Sequence, residues 1–125
     1  MKKIIIASSK FTVSGPYSAA VEVNDIIFIS GQLPIDPLTG QIINDIKTAT
    51  RQVLTNIQTI LEEAGLDMSN VVKTTIFLKN IADFSVVNEI YASFFPKDPP
   101  ARATIEASAL PKGVPLEIEA IAVRR

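Results

Sequence analysis

The 125-residue sequence contains no histidine and no cysteine. Zinc, blue-copper, haem–imidazole and iron–sulfur sites therefore lose their usual ligands. A Ser–His–Asp triad, an imidazole acid–base pair and a catalytic thiol are excluded within one chain, and so is a disulfide framework. An excess of either charge is also missing: 12 Lys and Arg stand against 13 Asp and Glu, for a net charge of −1. That leaves no electrostatic footprint for DNA or RNA. A near-neutral surface also resists self-association poorly, which suits an oligomer. No stretch approaches the ~20 apolar residues of a membrane span. The opening Met1-Lys2-Lys3-Ile4-Ile5-Ile6-Ala7 faintly imitates a signal peptide. Its apolar run stops at Ser8-Ser9-Lys10, short of an h-region of roughly 7–15 residues. The expectation is a cytoplasmic protein with no membrane and no nucleic-acid partner. Its chemistry must run on Asp, Glu, Lys, Arg, Tyr, Ser, Thr, backbone groups and water.

What is present is an apolar fraction of 47%, enough for a real core, in a length that predicts one domain over residues 1–125. The most informative stretch is Pro99-Pro100-Ala101-Arg102-Ala103-Thr104-Ile105-Glu106. Two prolines end whatever precedes them. Alternation then puts Arg102, Thr104, Glu106 and Ser108 on one strand face, and Ala101, Ala103, Ile105 and Ala107 on the other. Taken alone, the arginine is either part of a solvated face or a receptor for a carboxylate, which its planar fork fits in two-point contact.

The remaining elements follow in order. Lys3 to Ala7 reads as a short β-branched strand. Ser14-Gly15-Pro16-Tyr17 is a turn or loop. Ala19 to Val23 and Ile26 to Ser30 are strands joined by Asn24-Asp25, a tight hairpin connection. Gly31, in Ser30-Gly31-Gln32, marks either a bulge or a close approach of backbone or ligand. Asp36 to Gly40 is a turn, with a short extended piece at Gln41 to Ile43. Asp45 to Ala64 is a helix on the stripe Ile46, Ala49, Val53, Ile57, Ile60, Ala64. Asn44 or Asp45 caps it and Gly65 follows as the C′ residue. Arg51 reads as a solvated helix residue. Asn70 to Lys79 is a strand. Asp83 is expected to cap a second helix, Phe84 to Phe95, with Val87, Ile90, Tyr91 and Phe94 buried. Asn88 in that helix either bonds to a neighbouring loop or faces solvent. Leu110-Pro111-Lys112-Gly113 turns the chain into the last strand, Leu116 to Val123. Leu116, Ile118, Ala120 and Ala122 share one face there, Glu117, Glu119, Ile121 and Val123 the other.

This order predicts an α+β fold, with two helices against one face of a mixed sheet. The opposite face is expected to carry Arg102, Thr104, Glu106, Lys73, Thr75, Phe77, Glu117 and Val123. Such a face is too polar for a core and too apolar to stay wet, so another copy of the chain is expected to cover it. Clefts between copies would shield polar groups, and charges act more strongly there.

Several ordered segments then resemble one family over nearly the whole length. They are Gly15-Pro16-Tyr17-Ser18, Ile29-Ser30-Gly31-Gln32, Asn70-Val71-Val72-Lys73-Thr74-Thr75, Asp83-Phe84, Val87-Asn88-Glu89, Tyr91, Pro100-Ala101-Arg102, Leu110-Pro111-Lys112 and Glu117-Ile118-Glu119-Ala120. Together they are similar to the Rid (reactive intermediate deaminase, or YjgF) family. The resemblance implies a chorismate-mutase-like fold with a six-stranded mixed sheet, in a homotrimer with a central barrel and clefts between subunits. It implies hydrolysis of enamine/imine intermediates (2-aminoacrylate/2-iminopropanoate and 2-iminobutanoate) to 2-keto acids and ammonia. No metal or organic cofactor is expected. Carried over by position, Arg102 binds the substrate carboxylate and Glu117 orients or activates the attacking water. Tyr17, Ser30, Gly31 and Asn88 shape the pocket. Thr104 contributes backbone contacts where many relatives have cysteine. The segment Lys10-Phe11-Thr12-Val13-Ser14 departs from the Ala/Pro-rich run common in the family.

The chemistry agrees with the composition. An iminium carbon is already electrophilic, so one oriented water, one carboxylate and one anchoring arginine suffice through positioning and electrostatics. A competing expectation is a non-catalytic trimeric regulator holding a keto or amino acid, because a carboxylate-binding arginine serves both. A ribonuclease or translation inhibitor, a role attached to relatives, is disfavoured by the missing histidine, basic patch and base-stacking aromatics.

Overall fold

A computed structural model describes residues 3–6, 13 and 15–125. It forms one open six-stranded sheet with two helices on one face. The strands are β1 (Ile4–Ile6), β2 (Ala20–Val23), β3 (Ile26–Gln32), β4 (Val71–Leu78), β5 (Ala101–Glu106) and β6 (Leu116–Val123), in spatial order β1-β2-β3-β6-β4-β5. β4 and β5 run parallel, and the other neighbours are antiparallel. The helices are α1 (Ile46–Glu63) and α2 (Phe84–Phe94). Among the described residues, no helix is long and apolar enough to cross a membrane.

Local chemistry explains most boundaries. Asn24 and Asp25 take φ of 49° and 66°, the paired left-handed conformation that a two-residue hairpin requires. The Asp45 carboxylate accepts the Thr48 N–H at 3.1 Å and caps α1. At its other end Gly65 has φ of 76°, and Leu66 N–H donates to the Leu61 carbonyl at 2.8 Å, which closes a Schellman turn. Between helices and sheet, Ile27, Ile76, Leu78, Leu116 and Ile118 meet Val53, Leu54, Ile57, Leu61 and Val87, all fully buried.

Three expectations are corrected. Asp83 stands at the start of α2 but its side chain makes no cap bond; instead Asn80 Oδ1 accepts the Ala82 N–H and caps the preceding 3₁₀ turn, Ile81–Asp83. The second hairpin strand runs on to Gln32, with an irregular register between Ile29 and Gln32. The third correction concerns the site. Arg102, Thr104 and Glu106 do not share a face with Lys73, Thr75 and Phe77. The parallel pairing sets Arg102 beside Thr74, Thr104 beside Ile76 and Glu106 beside Leu78, residues that face the helices. Alternation separates two faces but does not say which is which, and only the β4–β5 register decides it. Ala101, Ala103 and Ile105 are the outward residues, all exposed. For β6, and for β4 from Lys73 onward, the expected outward faces are as observed. At the start of β4, where alternation would set Val71 on the outward face and Val72 on the helix side, a register shift between Val71 and Lys73 buries Val71 and exposes Val72. Ala7, Lys10 to Thr12 and Ser14, which fall in expected elements or motifs, lie outside the described residues.

Candidate functional site

Two clusters form, one on each side of the sheet. The first is built by the end of β5 and one side of α2. Pro99 and Pro100 deliver the chain into β5, whose second residue is Arg102. Phe84 and Tyr91, seven residues apart in α2, lie on one helical side. The Arg102 guanidinium carbon sits 4.9 Å from the Tyr91 ring centroid and 5.5 Å from that of Phe84. These distances are those of cation–π contact. No described carboxylate forms an ion pair with Arg102. It borders an open cavity of about 530 Å³, lined also by Asn88, Tyr91, Ala92, Phe95, Pro99 and Pro100. Asn88 is half-buried on that wall, and its Oδ1 is buried with no hydrogen-bond partner among the described residues, so the expected bond to a neighbouring loop is not made there. Thr104 Oγ1 is likewise buried with no partner among the described residues. Native proteins satisfy most such atoms. Tyr91's hydroxyl shares a 2.6 Å hydrogen bond with Thr74 Oγ1. Burial raises the Tyr91 phenol above its ordinary pKa, against the opposing pull of Thr74 and of the Arg102 charge.

The second cluster gathers Tyr17, Ser30, Gly31 and Glu117. Ser30 ties the Tyr17 loop to β3: its N–H donates to the Ala19 carbonyl at 2.9 Å and its Oγ to the Ser18 carbonyl at 2.6 Å. Tyr17 is exposed and packs its ring over Gly15. Gly31 serves for both of the reasons its sequence context left open. It lies in the irregular stretch of β3, and a Cβ there would collide with the Glu117 carboxylate. Only a glycine leaves room for that carboxylate. Glu117, paired with Phe77 on the outward face, hydrogen-bonds to no described residue. Burial, with a smaller contribution from the Glu119 charge, pushes its carboxyl above the ordinary value. A smaller cavity of about 140 Å³ opens beside Gly31, with Tyr17, Gln32 and Asn56 also on its walls.

The residues expected to act together thus fall into two half-sites. Arg102, Asn88 and Thr104 lie on the helix side of the sheet, while Glu117, Gly31, Ser30 and Tyr17 cluster across β6 and β3. Phe84 had no sequence signal as a neighbour of the arginine, and Tyr91 read as core. Their seven-residue spacing was visible, but not the strand register that places Arg102 beneath it. Among the described residues, no group of three or more Asp and Glu is arranged to hold a metal ion.

Residues 7–124 match the family described as Endoribonuclease L-PSP. The chain is 43% identical to a 2-iminobutanoate/2-iminopropanoate deaminase of Salmonella typhimurium, with both chains covered completely. A crystal structure of a Rid-family protein of Yersinia pestis superposes with a TM-score of 0.95 at 48% identity, over 98% of this chain and 100% of that one. The chain belongs to the Rid/YjgF family. A third Rid relative, Escherichia coli TdcF crystallised with bound serine, is 38% identical with a TM-score of 0.94 over 98% and 99% of the two chains. The Rid fold therefore extends to both half-sites, since the matched lengths include every residue named in them.

Proposed function

We propose that this chain assembles as a homotrimer and hydrolyses 2-iminopropanoate, 2-iminobutanoate and their enamine forms to 2-keto acids and ammonia. The observation that carries the reading is Arg102: a guanidinium on a cavity wall, held by two ring faces, with no carboxylate of the described residues on its fork. That is a receptor for a ligand carboxylate. Relatives bearing the deaminase name act on imino acids, and the TdcF structure holds serine, itself a carboxylate.

In this reading the substrate carboxylate docks on Arg102. Glu117, as the carboxylate, takes a proton from water while the water oxygen adds to the imine carbon. The electron pair of the C=N bond goes to nitrogen, which is protonated. The resulting carbinolamine loses ammonia as its O–H proton departs and the carbonyl forms. One water enters, one ammonia leaves, and no electron acceptor is needed. The raised pKa of Glu117 makes it a better base once ionised.

One chain places Arg102 and Glu117 on opposite sides of the sheet, so the cleft needs a second copy to bring one chain's arginine to its neighbour's glutamate. The outward face supports this packing: Phe28 is 48% exposed and pairs with Ile121, next to the pair of the exposed Ile26 with Val123. A monomer would leave that apolar patch in water. The endoribonuclease in the family's description finds little support in a histidine-free chain of net charge −1.

Mixing two inactive variants tests the whole reading. Arg102→Ala and Glu117→Gln chains would be refolded together, and keto-acid release timed with a serine or threonine dehydratase as the imine source. In randomly mixed trimers about a quarter of the sites regain both groups, so about a quarter of wild-type activity returns. A mixture as inactive as its components would reject the shared cleft. A wild-type trimer that binds 2-ketobutyrate without accelerating keto-acid release would instead be a binding protein.

A further inference from the structure

An arginine can be pinned in two ways. A carboxylate holds it strongly, but occupies the N–H groups that a ligand would need. An aromatic face holds it from above and leaves the edge free. Arg102 is held in the second way, and the ring facing it is itself anchored. The β4–β5 register sets Thr74 directly beside Arg102. Thr74 Oγ1 bonds the Tyr91 hydroxyl at 2.6 Å in the buried layer. Tyr91 then presents its ring to the guanidinium at 4.9 Å. Three elements, β4, α2 and β5, close a triangle whose third side is a cation–π contact.

We infer that Thr74 and Tyr91 form a positioning pair that fixes the plane of the Arg102 fork while leaving its N–H donors for a ligand carboxylate. The inference deepens the proposed function and rests on Arg102 being the carboxylate receptor. Thr74 and Tyr91 are 1% and 5% exposed, so the hydroxyl pair has no water competing for it. Phe95 braces the far part of the ring, with centroids 4.7 Å apart. Phe84 borders the guanidinium more loosely and is partly exposed. The ring that holds Arg102 is thus fixed at both its polar tip and its body. A fork held this way enters the complex with little rotational freedom left to lose.

The pair acts through Arg102, so its loss should weaken ligand binding more than turnover. Tyr91→Leu, which removes the ring, should raise KM about tenfold and change kcat less than about threefold. Tyr91→Phe and Thr74→Val should each raise KM by roughly threefold. Their combination should cost no more than either alone, because both delete one hydrogen bond. The Arg102 Nε–H proton resonance, shifted by the Tyr91 ring current, should return toward its ordinary position in Tyr91→Leu. A purely structural tyrosine would move neither that resonance nor the KM-to-kcat ratio.

Titration of 2-ketobutyrate into the wild type and Arg102→Ala separates the two layers of the argument. Equal binding by both would remove the receptor reading, and the Nε–H shift would then decide the stacking on its own. Binding lost only in Arg102→Ala, with wild-type affinity and an unmoved resonance in Tyr91→Leu, would overturn the positioning pair. Should Tyr91→Leu fail to fold, additive effects of Tyr91→Phe and Thr74→Val would overturn it equally well.

Discussion

Two regions of the molecule treat charge in opposite ways. On β2, Glu22 faces the helix side and is 6% exposed, yet it is fully matched. Arg124 grips it with two parallel bonds, Nε to Oε2 at 2.8 Å and Nη2 to Oε1 at 2.9 Å. The Arg124 backbone N–H also donates to the Asp25 carbonyl at the hairpin turn. The pairing holds the Glu22 carboxyl below the usual carboxylate range and raises the Arg124 guanidinium. At the two half-sites the chain holds the same two kinds of group apart. Among the described residues, Arg102 has rings but no paired carboxylate, and Glu117 has burial but no paired cation. The difference shows what each is for. A matched pair fastens the C-terminal segment to the first hairpin. Unmatched charges keep their hydrogen-bonding capacity for something that comes and goes.

The largest effect expected from breaking this contrast is on activity at the unmatched groups. Arg102→Ala should lower kcat/KM by roughly 10³-fold, with the assembly still folded. Glu117→Gln should lower turnover by roughly 10²-fold while 2-ketobutyrate affinity stays near wild type. Unchanged turnover in the latter would remove Glu117 from the chemistry. Gly31→Ala comes next. Its new methyl must displace the Glu117 carboxylate, so kcat should fall by at least about tenfold, with Arg102-dependent ligand binding kept.

The matched pair should respond in stability and not in catalysis. Glu22→Gln should cost roughly 1–3 kcal/mol at neutral pH, read by denaturant unfolding. The sign follows from linkage. A carboxyl lowered on folding stabilises above its unfolded pKa, and that contribution is lost as pH falls through the folded value. The gap between wild type and variant should therefore close in acid; a gap constant with pH would show that packing, not charge, is at stake. The smallest effect is a titration. If a neighbour's Arg102 meets Glu117, its charge pulls the raised carboxyl partly back down. Carboxyl NMR should then show Glu117 titrating higher in Arg102→Ala than in wild type, and identical curves would place the two groups too far apart to share a cleft.

Much of this was legible in the sequence because it is written in local terms. The α1 stripe, the Asp45 cap, the Gly65 stop and the Asn24-Asp25 turn each depend on a few adjacent residues. The alternation of β6 correctly separated Glu117 from Leu116 and Ile118. The face of Arg102 was not legible, because it depends on a register that pairs residues 28 positions apart in sequence. Tyr91 carries the same lesson. Its apolar spacing correctly read as core, while its hydroxyl and ring face report to Thr74 and Arg102, which no local pattern reveals. Gly31 was legible as a special position but not in its purpose, since the side chain it accommodates belongs to β6.

The position of β6 has a consequence for synthesis. It is the last strand in chain order, yet it lies between β3 and β4 near the middle of the sheet. Until residues 116–123 emerge, β1–β3 and β4–β5 are separate ribbons with no strand to join them. Chains generally fold domain by domain as they are made, but here the domain's own keystone arrives late. A nascent chain therefore has no finished outward face to offer a neighbour, and Glu117 reaches Gly31 only in the step that completes the sheet.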